Sequence, residues 1–82
     1  MSNPVEPCQW VLEGFRHQAM AARWELVGLE DEVVAKHLGC VPEALWAVEQ
    51  PFFDYLVDRF RLETRLSDFD EVLIGTERAA SR

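Results

Sequence analysis

The sequence predicts an all-α fold, a compact domain of four to five helices with a helix-turn-helix core. Three observations predict it. Apolar residues recur at three- and four-residue steps, Gly28, Gly39 and Gly75 fall just past such segments, and Pro42 and Pro51 stand where helices can begin. The 82 residues leave room for one domain, placed at 8–75 between a flexible tail at 1–7 and a polar tail at 76–82. Pro4 and Pro7 deny the first tail helical hydrogen bonds.

The first helix is expected from Cys8 to Val27, where Trp10, Phe15, Ala19, Ala22 and Leu26 keep helical spacing, and Gly28 ends it. A second covers Glu30 to Leu38. Glu30, Asp31 and Glu32 suit its positive amino end, Lys36 and His37 its negative carboxyl end, and Gly39 closes it in the left-handed conformation. Pro42 opens a third helix that runs to Gln50. The fourth, Phe52 to Leu66, carries the stripe Phe53, Leu56, Val57 and Phe60 opposite Asp54, Asp58, Arg61 and Arg65. Asp58 with Arg61, and Arg59 with Glu63, can pair across a turn. Ser67 and Asp70 resemble a capping signal for a short last helix, Asp68 to Ile74, although Val72, Leu73 and Ile74 could instead make a short strand.

Composition narrows the function. Hydrophobic residues at 49% and charged residues at 28% are ordinary globular values. Fifteen acids against eight bases give a net charge of -7 and a pI near 4.6, which disfavours nucleic acid and anionic membranes. Met1 to Pro7 lacks the basic and apolar stretches of a signal peptide, and no apolar run approaches the ~20 residues of a membrane span. A cytoplasmic protein is expected, with Cys8 and Cys40 as thiols.

The stretch Asp31 to Gln50, DEVVAKHLGCVPEALWAVEQ, resembles the bacterial helix-turn-helix motif. Val34 and Ala35 match its apolar–small pair, Leu38 and Gly39 its turn, and Leu45 and Val48 the apolar positions of its second helix. Tight helix crossing explains the small Ala35, and the turn explains Gly39. With FFDYL following, the layout is also similar to a family of small, uncharacterised bacterial helix-turn-helix proteins. The resemblance implies a regulator in a bacterial or phage cytoplasm. In a DNA reader the second helix enters the major groove. Here its outward positions are Val41, Glu43, Trp46, Ala47 and Gln50, and Gln50 alone could read adenine. Glu30 to Asp54 holds six acids and one lysine, the wrong sign for phosphate.

Other constellations carry less. His37 and Cys40, with Cys8 and His17, could ligate zinc but lack paired metal-ligand spacing, so no metal and no cofactor is expected. Asp68 and Asp70 read as a solvated acidic face. Without a nucleophile, phosphate loop or cofactor fingerprint, no enzyme is expected. The arginines Arg16, Arg23, Arg59, Arg61 and Arg65 are expected to pair with surplus carboxylates. Trp46 is either a partner anchor or a residue that the first or last helix covers. The function expected is regulation or interaction without catalysis, with a protein partner bound at Glu43, Trp46, Ala47 and Gln50 on a scaffold turned by Ala35, Leu38 and Gly39. The alternative is a dimeric DNA-binding transcriptional regulator. A homodimer could bury Phe52, Tyr55, Leu62 and Leu66, unless the last helix covers that edge.

Overall fold

The computed structural model describes residues 9–42 and 44–76. Strand β1 is Trp10–Arg16, β2 Ala19–Leu26, helix α1 Asp31–Leu38, β3 Trp46–Ala47, α2 Gln50–Phe60, and β4 Glu71–Thr76, preceded by a single 3-10 turn at Leu66–Asp68. Every strand pairing is antiparallel, and the sheet order is β2-β1-β4-β3. The expected all-α domain with a helix-turn-helix core is therefore overturned. The chain is a four-stranded sheet with two helices.

Side chains alternate between the sheet's faces, and the register shows which ones share a face. Leu12 lies opposite both Trp24 and Ile74, Trp10 opposite Leu26, and Gly14 opposite Val72. Trp10, Leu12, Leu26, Val72 and Ile74 cluster with Val34 of α1 and with Phe52, Phe53 and Leu56 of α2. Both helices thus pack on this one face. The other face is closed more thinly. Val11 and Glu13 are buried there, Arg23 approaches Glu13 at 3.8 Å, and Leu45 presses on Gly75, the residue opposite Val11.

The expected first helix is instead the β1–β2 hairpin. Its two turn residues, His17 and Gln18, have φ of 54° and 66°, the left-handed backbone that matches the twist of paired strands. Asp70 holds them: its carboxylate accepts from the His17 N–H at 2.7 Å, while its own N–H donates to the Phe15 carbonyl at 2.9 Å. Neither turn residue is glycine, asparagine or aspartate, so each is strained. Gln18→Gly is expected to raise stability by about 1 kcal/mol, seen as a higher urea midpoint at unchanged slope. An unchanged or lower midpoint would show that the turn stores no such strain.

The expected third helix, Pro42 to Gln50, is also absent. Trp46 and Ala47 pair with Ile74 and Leu73, and the Val48 N–H donates to the Val72 carbonyl at 2.9 Å. Only eight residues separate the two prolines of this segment, and burying Val48 on the sheet takes precedence over helical propensity. Helix α1 lies where expected. Its carboxyl end closes at Gly39, φ 85°, whose N–H donates to Ala35. Pro51 sits in the first turn of α2, and α2 stops at Phe60 rather than Leu66 because Arg61 turns left-handed at φ 54°. The expected last helix is the 3-10 turn followed by β4. Asp68, rather than the expected Ser67 and Asp70 pair, makes its capping contacts, accepting from the Arg65 N–H at 2.9 Å and the Thr64 hydroxyl at 3.2 Å. The Arg65 N–H, first among these contacts, holds the Asp68 carboxyl below the usual carboxylate range.

Two polar ties fix the helices. The buried Trp10 indole N–H donates to Asp31 at 2.8 Å, anchoring the start of α1 over β1. From the end of α2, Arg59 donates to the Gly28 carbonyl at 3.0 Å, to the Tyr55 hydroxyl at 2.9 Å and to the Glu30 carboxylate, in place of the expected Glu63 pairing. That guanidinium holds the Glu30 carboxyl below its ordinary value. Among the described residues no helix is long and apolar enough to cross a membrane.

Candidate functional site

The carboxyl end of α1, the start of α2 and the short strand β3 enclose a cleft of about 250 Å³. Helix α1 contributes His37 and Leu38, β3 contributes Trp46 and Ala47, and the α2 entry contributes Glu49, Pro51 and Phe52. The His37 ring stacks on Phe52 with centroids 4.5 Å apart and planes 6° from parallel, and Tyr55 tilts against it at 5.1 Å. Aromatic stacking holds this wall without a hydrogen bond.

Trp46 forms the opposite wall. Its strand register places it on the helix-bearing face opposite Ile74, yet 47% of it stays exposed because β3 is the sheet's outermost strand. The covering by a first or last helix does not occur, since those segments are strands. Val41, on the loop leading to β3, is 49% exposed. The cleft therefore offers an aromatic wall and a lining of mixed polar and apolar character, with one carboxylate, Glu49, among its lining residues.

The residues singled out for partner binding have separate fates. Trp46 and Ala47 both line the cleft. Gln50 is exposed at the first position of α2, where its amide donates to Asp54 at 2.6 Å. Glu43 lies outside the described residues. Of the turn residues, Leu38 lines the cleft while Ala35 and Gly39 close α1. No second helix crosses α1 at Gly39, and the helix expected to present Val41, Glu43, Trp46, Ala47 and Gln50 to a DNA groove does not form. His37, Pro51 and Phe52 were singled out for other roles, as a metal-ligand candidate, a helix start and a dimer edge, and not for this cleft. The stacking of a helix-end histidine on a phenylalanine fifteen positions later leaves no local periodic signal.

The remaining candidates do not converge. Among the described residues no group of three or more His, Cys, Asp or Glu could hold a metal ion. Cys40 is an exposed thiol, His17 sits at the hairpin tip, and Cys8 lies outside the described residues. Asp68 and Asp70 serve the 3-10 turn and the hairpin turn respectively. Phe52 is 3% exposed, and Tyr55, Leu62 and Leu66 pack against the core, so the helix edge expected in a dimer is used within the chain. A second hollow of about 260 Å³, between α2 and Thr64–Ser67, has polar side chains from Gln50, Asp54, Thr64, Arg65 and Ser67 and lacks an aromatic pair. Set beside known proteins, the chain matches no family model, no curated protein and no solved structure.

Proposed function

We propose that this chain is a non-enzymatic regulatory or interaction protein that binds a protein partner in the Trp46 cleft. The observation that carries this reading is the half-exposed tryptophan beside a stacked His37–Phe52 pair in a hollow of mixed polar and apolar lining. Large aromatic side chains at the rim of a preformed hollow dominate binding energy at protein interfaces. The Glu49 carboxylate in the cleft and the net charge of -7 favour a partner segment that sets basic residues beside its contact with Trp46.

Trp46→Ala tests it. Because the side chain is half exposed on an edge strand, the variant is expected to keep the wild-type circular dichroism spectrum while weakening the partner complex by about tenfold or more. Affinity capture with mass spectrometry identifies proteins retained by wild type and lost by the variant, and titration then measures the difference. Equal retention by both would overturn the reading. So would micromolar binding to random duplex DNA at about 50 mM salt, where attraction to phosphate is least screened.

A further inference from the structure

The exposed large apolar side chains of the described residues are Met20, Val27, Val41 and Trp46. Val41 and Trp46 belong to the cleft end of the sheet. Met20 and Val27, 53% and 70% exposed, lie at the opposite end, on strand β2 and just beyond it. Among the described residues no strand pairs with the outer edge of β2.

That edge has few of the usual protections. It is eight residues long, Ala-Met-Ala-Ala-Arg-Trp-Glu-Leu, without proline or lysine. Proteins guard such edges with prolines, inward charges or strong bulges, since an unpaired strand is a template for another chain. One bulge occurs near the hairpin end, where the partner of β1 skips from Ala22 to Met20. From Ala22 to Leu26 the register is regular. The two charges in this segment, Arg23 and Glu25, have opposite signs and flank Trp24.

We propose that the outer edge of β2 pairs with β2 of a second copy of this chain, antiparallel about a two-fold axis at Trp24. In that register Arg23 of each copy faces Glu25 of the other, and the two Trp24 rings face each other on the helix-bearing side. Moving the axis to Arg23 or Glu25 sets like charges opposite each other, and moving it to Ala22 leaves Arg23 facing Ala21. Only the Trp24 axis pairs both charges. Directly opposed ions and aromatic pairs are the contacts that stabilise neighbouring strands. The same axis brings Val27 of one copy opposite Ala21 of the other, beside Met20, so both exposed apolar side chains gain cover. Within one chain Arg23 stands 3.8 Å from Glu13 and 3.7 Å from Glu25, and the second copy gives each Glu25 an arginine directly across the seam. The result is a self-complementary, closed two-fold contact that joins two four-stranded sheets into one.

Sedimentation of the full chain between about 10 and 500 µM tests this by mass action, and a concentration-dependent dimer is expected. Glu25→Arg leaves the Glu13–Arg23 contact in place and sets arginine against arginine twice, so it is expected to raise the dissociation constant by about tenfold. Glu25→Gln, which removes only the charge, should weaken association by about threefold. As an independent register probe, Trp24→Cys in a Cys8→Ser, Cys40→Ser background is expected to form a disulfide-linked dimer on mild oxidation, because opposed residues bring their Cβ atoms within bridging reach. A chain that stays monomeric throughout the range would overturn the proposal. So would a folded Glu25→Arg protein that dimerises like wild type, or a Trp24→Cys protein that fails to cross-link while dimeric.

Discussion

Trp10→Ala is expected to be among the most destabilising single substitutions in this domain, removing a large share of its stability at 25 °C. Trp10 is the largest fully buried side chain, 1% exposed, and it lies where β1, α1 and the core cluster meet. Truncating a buried tryptophan costs about 3–5 kcal/mol through lost transfer energy and the cavity left behind. A domain of this size commands only about 4–12 kcal/mol in total. The indole also holds Asp31, so the truncation frees the first turn of α1 at the same time. Trp10→Phe separates the two losses: it keeps most of the apolar volume, drops the hydrogen bond, and should cost about 1–2 kcal/mol. Asp31→Asn should be near neutral, since the amide oxygen still accepts from the indole. Far-UV circular dichroism and urea midpoints of the three variants check the order. A Trp10→Ala midpoint within about 1 kcal/mol of wild type would refute the placement of this residue at the centre of the core.

The second large effect is expected at Gly14. A Cβ added there would sit 2.6 Å from ring atoms of Phe69, and that ring is itself held edge-on by Trp24 and lies beneath Arg16. Overpacking of this kind costs about 1–3 kcal/mol, so Gly14→Ala belongs at the upper end and Gly14→Val beyond it. The cause is testable through coupling. Phe69→Ala alone should destabilise by lost packing, but in that background Gly14→Ala should cost much less, because the added methyl then meets open space. A double-mutant cycle from urea unfolding measures the difference. Additive losses would mean that the glycine is required for something other than the closeness of that ring.

The sequence made α1 legible from end to end, since its acids, bases and terminal glycine state helix polarity within eight residues. Pro51 marked the entry to α2 equally plainly. The hairpin was hidden for three identifiable reasons. Ala19–Ala22 is built of strong helix formers, the His17–Gln18 turn lacks any customary turn residue, and the bulge at Ala21 breaks the two-residue alternation that would have announced β2. Trp10, Phe15, Ala19, Ala22 and Leu26 then keep helical spacing by coincidence, although Phe15 and Trp10 point to opposite faces of β1. At the site, Trp46 and Ala47 could be singled out because a large aromatic amid carboxylates is unusual. The other wall of the cleft could not, because His37 and Phe52 meet only after α1 and α2 have docked on the sheet.

The sheet order has a consequence for how the chain acquires its structure during synthesis. Strand β1 is made early, but one of its two neighbours is β4, so Trp10 waits for Thr76 and Leu12 for Ile74. Strand β3 likewise has no partner until β4 is present. Before the last strand emerges from the ribosome, the hairpin has a bare edge on the β1 side and the two helices face an incomplete floor. Productive burial is thus postponed until almost all of these residues have been translated, and the structure then closes in one late step dominated by contacts between distant parts of the chain. For the interval before that step, the nascent protein exposes the apolar start of β1, Trp-Val-Leu, to its surroundings.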